Sequence, residues 1–140
     1  MPRKTYEAAG IHVHFDARRC IHAARCVEGL PAVFDADRRP WIAPEAASVE
    51  AVAEVVRQCP SGALTYERLD GGPAEPIDEK ASVATVRDGP LYLRGRCLLT
   101  DHEGRSMEAG PRAALCRCGA SRNKPFCDKS HVAQGFRDRS

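Results

Sequence analysis

Residues 116–131, CRCGASRNKPFCDKSH, hold three cysteines and a histidine within sixteen positions. Nothing else in the chain restricts its fold as much, because soft ligands at that density organise a backbone around metal rather than around an apolar core. Cys116 and Cys118 stand one residue apart, so an extended segment or tight loop aims both sulfurs at one centre. Asp128 is a residue type that opens a helical turn. Cys127 and His131, four apart, then share one face of that turn. The outcome is a Cys3His donor set made from two short segments. Zinc accepts such a set in a closed tetrahedron. A [2Fe–2S] cluster takes two ligands on each iron and tolerates histidine. Paired zinc-finger cysteines usually have two to four residues between them, so Cys-x-Cys leans toward iron–sulfur while leaving both metals open.

Seven cysteines occur in all, at positions 20, 26, 59, 97, 116, 118 and 127. An odd count forbids complete pairing within one chain. The N-terminal MPRKTYEAAGIHVHF has no apolar run of a secretory signal, and no stretch approaches the length of a membrane helix. A cytoplasmic protein is therefore expected, where disulfide frameworks are rare and metal ligation is the leading use of cysteine. The net charge of +2, with acidic and basic residues interleaved, argues against nucleic acid or an anionic membrane as partner.

A second cluster lies upstream. CIHAARC sets Cys20 and Cys26 six apart, and Cys59 is followed by Pro60. The bacterial ferredoxin run is Cys-x2-Cys-x2-Cys with a remote Cys-Pro. Laid on that run, Cys20, Cys26 and Cys59 fill the first, third and remote positions, and Ala23 replaces the middle cysteine. Three thiolates with an open corner suit a [3Fe–4S] cluster. A [4Fe–4S] cluster needs a fourth ligand from His22, solvent or a partner, and His22 is displaced by one position from the ferredoxin ligand.

The patterning predicts an α+β chain. Residues 11–15, IHVHF, alternate as a strand. Val33-Phe34 and Trp41-Ile42 suggest a small hairpin, PEAASVEAVAEVVRQ (44–58) a helix with a valine stripe, and ALTYE a returning strand. Gly, Pro and acidic residues over 69–82 read as a linker. It separates an N-terminal domain, 8–68, from a mostly β domain, 83–140. Cys97 reads as a core residue on a strand, Trp41 as core and His102 as a solvated turn residue. His12 and His14 share a strand face with no third ligand nearby.

CRCGASRNKPFCDKSH resembles the CDGSH (mitoNEET-like) iron–sulfur family at Cys116, Cys118, Ser121, Pro125, Cys127, Asp128, Ser130 and His131. It departs at Lys129, where that family has glycine; a positive φ there would strain lysine. The resemblance implies a [2Fe–2S] cluster held by Cys116 and Cys118 on one iron and by Cys127 and His131 on the other. Imidazole brings no negative charge, which eases reduction, and protons compete with iron for it, so such a cluster is lost faster as pH falls. Residues 8–68, most clearly CIHAARCV and CPSGAL, resemble the divergent single-cluster ferredoxin domain of bacteria, which implies a cluster on Cys20, Cys26 and Cys59.

No substrate pocket, nucleotide loop or nucleophile–base pair is legible, so a non-enzyme is expected. The resemblances imply electron transfer or redox sensing with an unidentified redox partner. Cluster transfer or storage is the alternative, and a structural zinc module a further one. Animal CDGSH proteins are dimers, so a homodimer is a further expectation.

Overall fold

The computed structural model describes residues 3–138. Contacts divide the chain into two compact units. One comprises residues up to Ala17, His22–Cys59 and Ala63–Pro76; the other comprises Arg18–Ile21, Pro60–Gly62 and the chain from Ile77 onward. The class is α+β, with short helices and antiparallel sheets.

In the first unit, β1 (Lys4–Glu7), β2 (Ile11–Phe15) and β3 (Leu64–Arg68) form a sheet in the order β1-β2-β3. The period-two pattern of β2 buries Ile11 and Val13 and leaves His12 and His14 on the opposite face. β1 pairs Tyr6 with Val13 across the ladder; its alternation is too brief to read from sequence. Between β2 and β3 lie α1 (Arg25–Gly29) and α2 (Val49–Val56). The stretch expected as one helix over 44–58 is split into a single 3-10 turn at Pro44–Ala46 and α2. Ser48 decides the split: its backbone is extended and its hydroxyl accepts from the Ala51 N–H at 3.2 Å. Such a cap stabilises by about 1 kcal/mol. Val52, Val55 and Val56 are then buried, and full burial of each contributes about 1.5–3 kcal/mol. They join Tyr6, Ile11, Val13, Val33, Phe34, Ile42, Ala53 and Leu64 in one core. The expected hairpin is reduced to one bridge, Phe34 to Ile42. Trp41 packs on the core edge-to-face with Phe15, ring centroids 5.0 Å apart.

In the second unit, β4 (Ser82–Thr85), β5 (Leu91–Arg94) and β8 (Arg112–Leu115) make an antiparallel sheet in the order β4-β5-β8. β6 (Leu99–Thr100) and β7 (Ser106–Met107) pair across a turn in which the Asp101 carboxylate accepts the N–H groups of Glu103 and Arg105. The last element is α3 (Ser130–Ala133). The buried apolar centre is small: Leu93, Ala109 and Ala113, flanked by Leu99, Leu115 and Phe126. A core of that size seldom stabilises a fold without a staple such as a metal.

Cys97 corrects its expected place. It is exposed and lies outside any strand, because Gly95 at φ 94° ends β5 ahead of it. Among the described residues, no helix is long and apolar enough to cross a membrane.

Candidate metal centres

The downstream site grows from the end of β8. Leu115 and Phe126 form an antiparallel bridge. On either side of it the Cys116 N–H donates to the Pro125 carbonyl at 2.8 Å, and the Cys127 N–H to the Ala114 carbonyl at 2.7 Å. The ladder thus fixes Cys116 and Cys127 on adjacent segments. Buried Ser121 holds the connecting loop, its hydroxyl donating to the Phe126 carbonyl and accepting from the Asn123 N–H. The Asp128 carboxylate then starts the last turn by accepting the Ser130 N–H and hydroxyl, and it also takes the Arg122 N–H. Those donors, the Ser130 hydroxyl first, hold the Asp128 carboxyl below the usual carboxylate range.

Two pairs of donors come together. The Cys116 and Cys118 sulfurs are 3.9 Å apart, and the Cys127 sulfur is 3.6 Å from His131 Nδ1. Tetrahedral bonds of about 2.3 Å to sulfur and about 2.0 Å to nitrogen give edges of about 3.8 Å between two sulfurs and about 3.5 Å between sulfur and nitrogen. Each pair therefore has the size of one edge of a metal tetrahedron. Among the described residues, no three His, Cys, Asp or Glu side chains close to the size that a single bound ion requires.

Backbone N–H groups point at every sulfur of the site: Gly119 at Cys116 (3.3 Å), Ala120 at Cys118 (3.4 Å) and Lys129 at Cys127 (3.4 Å). Such donors favour thiolate over thiol. Burial alone would raise Cys116, but the N–H groups of Ser121 and Gly119, the Cys118 sulfur and the Lys124 ammonium outweigh it and lower the thiol. Cys127 goes the other way: burial pushes it up, the Lys129 N–H opposes, and Cys116, Asp128 and Cys118 add negative charge nearby. Lys129 itself has φ 75°, the left-handed conformation that strains a side chain.

The upstream cysteines, Cys20, Cys26 and Cys59, are all half-buried. Cys26 lies in α1 and Cys59 just beyond α2; both pack on the first unit's core. Cys20 belongs to the second unit. His22 and Ala24 between them take positive φ, 56° and 65°, and Ala23 is exposed. His14 hydrogen-bonds Thr5, His12 lies 3.7 Å from Glu67, and His102 is exposed.

Sequence reasoning missed two arginines that hold segments of the second unit next to the candidate ligands. Arg19, next to Cys20, donates from one nitrogen to the carbonyls of Ser61, Ala109 and Arg112 at 3.0, 2.8 and 2.9 Å. Its guanidinium also lies 4.4 Å from the centroid of the Phe126 ring, the residue before Cys127. Arg117, between Cys116 and Cys118, donates to the carbonyls of Gly89 and Val86. An arginine between two candidate ligands was the available signal for Arg117; nothing local marks Arg19.

Two family models match the chain. One described as "Divergent 4Fe-4S mono-cluster" covers residues 6–69, and one described as "Iron-binding zinc finger CDGSH type" covers residues 88–132. The chain is also similar to the uncharacterized protein YjdI of Escherichia coli K12, with 40% identity over 63 residues, 45% of this chain and 83% of YjdI. YjdI of Escherichia coli O157:H7 matches to the same extent.

Proposed function

Because the chain belongs to the divergent 4Fe-4S mono-cluster family and carries a CDGSH-type iron-binding domain behind that module, we propose that it is a non-catalytic electron carrier or redox sensor with two iron–sulfur centres. Cys116 and Cys118 hold one iron of a [2Fe–2S] cluster, and Cys127 and His131 hold the other. The observation that carries this reading is the division of the donors into two pairs, 3.9 and 3.6 Å across. A mononuclear zinc site needs all its edges short, whereas a two-iron site needs one short edge per iron. When bound, the cluster supplies a one-electron couple. The chain supplies N–H donors that stabilise the thiolates and a neutral nitrogen that keeps the total charge low.

Upstream, Cys20, Cys26 and Cys59 supply three thiolates, which suits a [3Fe–4S] cluster. The four-iron form is the second reading, favoured by the family description, and requires a non-cysteine fourth ligand.

The electron partner is an acidic protein surface. Arg122, Lys124 and Lys129 are exposed around the downstream donors. Asp128, the one acid within residues 116–131, is engaged by Ser130 and Arg122. A rim of one sign steers an oppositely charged partner, with an on-rate that falls as salt rises.

Metal and sulfide analysis of anaerobically purified protein tests the proposal, together with visible spectra and EPR of both oxidation states. About two irons and two sulfides from the downstream site, and three or four irons from the upstream one, are expected. A colourless protein with zinc refutes the reading. Passage of the intact cluster to an apo-ferredoxin faster than electron exchange would move the assignment to cluster transfer.

A further inference from the structure

His131 lies on α3, a helix of four residues preceded by Lys129, whose side chain makes no cap hydrogen bond. One such turn has no stability of its own. The segment that follows holds it. Gly135 turns the chain at φ 64°, and the Phe136 N–H donates back to the His131 carbonyl at 3.0 Å. The Asp138 N–H then donates to the Asp88 carboxylate at 2.6 Å, and its own carboxylate lies 3.0 Å from Arg117 Nη2. The Arg117 guanidinium also faces the Phe136 ring at 5.2 Å.

Arg117 is fixed at its other end. Its Nε donates to the Gly89 carbonyl at 2.9 Å and its Nη2 to the Val86 carbonyl at 2.7 Å, both in the turn between β4 and β5. Its side chain is 21% exposed and that of Asp138 16% exposed, so solvent screens the pair only partly. One residue thus has its backbone between Cys116 and Cys118 and its side chain on the segment leaving His131.

We propose that Arg117 is a positioning residue that latches the His131 turn onto the cysteine loop, so that the Arg117–Asp138 contact sets how fast the histidine corner opens. The inference rests on the reading of these residues as a [2Fe–2S] cage and adds a control on its lifetime. Opening breaks one iron–nitrogen bond, the electron pair stays on Nδ1 and a chelator or solvent oxygen takes the iron position; no electron is transferred.

The test uses the full-length holoprotein at constant pH, with loss of the visible band followed in excess iron chelator. Asp138→Asn is the informative variant, since it removes the charge and leaves the backbone N–H to Asp88. Arg117→Gln also removes the guanidinium hydrogen bonds to the Val86 and Gly89 carbonyls, and folding itself is then at stake. Asp138→Asn should release the cluster about three- to tenfold faster, consistent with loss of a charge-assisted hydrogen bond, and Asp138→Glu should recover part of the wild-type rate. Rising ionic strength should speed the wild type toward the variant and leave the variant unchanged. Amide exchange should quicken at residues 131–136 and stay constant in β5 and β8. Release at the wild-type rate, or equal quickening of the sheet amides, overturns the latch. A wild type holding zinc and no visible band instead overturns the cluster reading beneath it.

Discussion

Replacing Lys129 by glycine should make the second unit more stable. The residue sits at φ 75° and ψ 7°, where an L side chain costs about 1–2 kcal/mol against its own carbonyl. Glycine adopts that conformation freely but gains freedom in the unfolded chain, which offsets about 0.4–1 kcal/mol. The net gain is about 0.5–1 kcal/mol. For a unit of this size, 1 kcal/mol moves the melting midpoint by about 4–8 °C, so a rise of about 2–8 °C is expected. Lys129→Ala is the matched control: it loses the ammonium but keeps the strain. The assay is thermal loss of the visible band at fixed pH and scan rate, with the reduction potential measured on all three proteins. Glycine should melt highest, and alanine should stay near lysine. If the ammonium raises the potential, both variants should drop by the same amount. A glycine variant that melts no higher than the alanine variant would refute the argument that backbone conformation is the cost at this position.

Gly62→Ala should be damaging, because Gly62 has φ 74° and an added Cβ would lie 2.1 Å from the Arg112 carbonyl oxygen; urea unfolding should show a loss of about 2–4 kcal/mol. Arg19→Met should leave the carbonyls of Ser61, Ala109 and Arg112 without that donor and remove the stack on Phe126, destabilising by about 2–4 kcal/mol in the same assay. In metal-free protein, mass-mapped alkylation below the ordinary thiol range should modify Cys116 before Cys127, since the first is lowered by its N–H donors and Lys124 while the second is raised and buried; the reverse order contradicts both directions. A thiol raised on folding contributes stability that is present at low pH and lost as pH climbs past its unfolded value, so Cys127→Ser should flatten the alkaline loss of stability in metal-free protein. His131→Cys should bleach more slowly in acid than wild type, because a proton competes with iron for imidazole.

The grouping of the candidate donors was legible because it is local. Cys116, Cys118, Cys127 and His131 are bound by short spacings, and the structure gathers them into two pairs. The strand at Ile11–Phe15 and the valine stripe of α2 follow periodicities that a few residues suffice to show. Lys129 was legible too, as a side chain standing where a left-handed residue is needed. Cys97 was misplaced because an apolar flank looks the same on a strand and after a glycine break. The helix over 44–58 was drawn too long because propensity favours Ala and Glu, while a serine cap wins by satisfying a backbone donor.

By itself, then, the sequence determined which candidate donor atoms the chain offers, since donor type and spacing are properties of a few neighbouring residues. The tertiary structure decided what holds those atoms still. Arg19 reaches a carbonyl 93 residues away and Arg117 one 31 residues away. Every residue carries a carbonyl, so such an acceptor leaves no mark on residue identity and becomes visible only when the folded backbone brings it within reach.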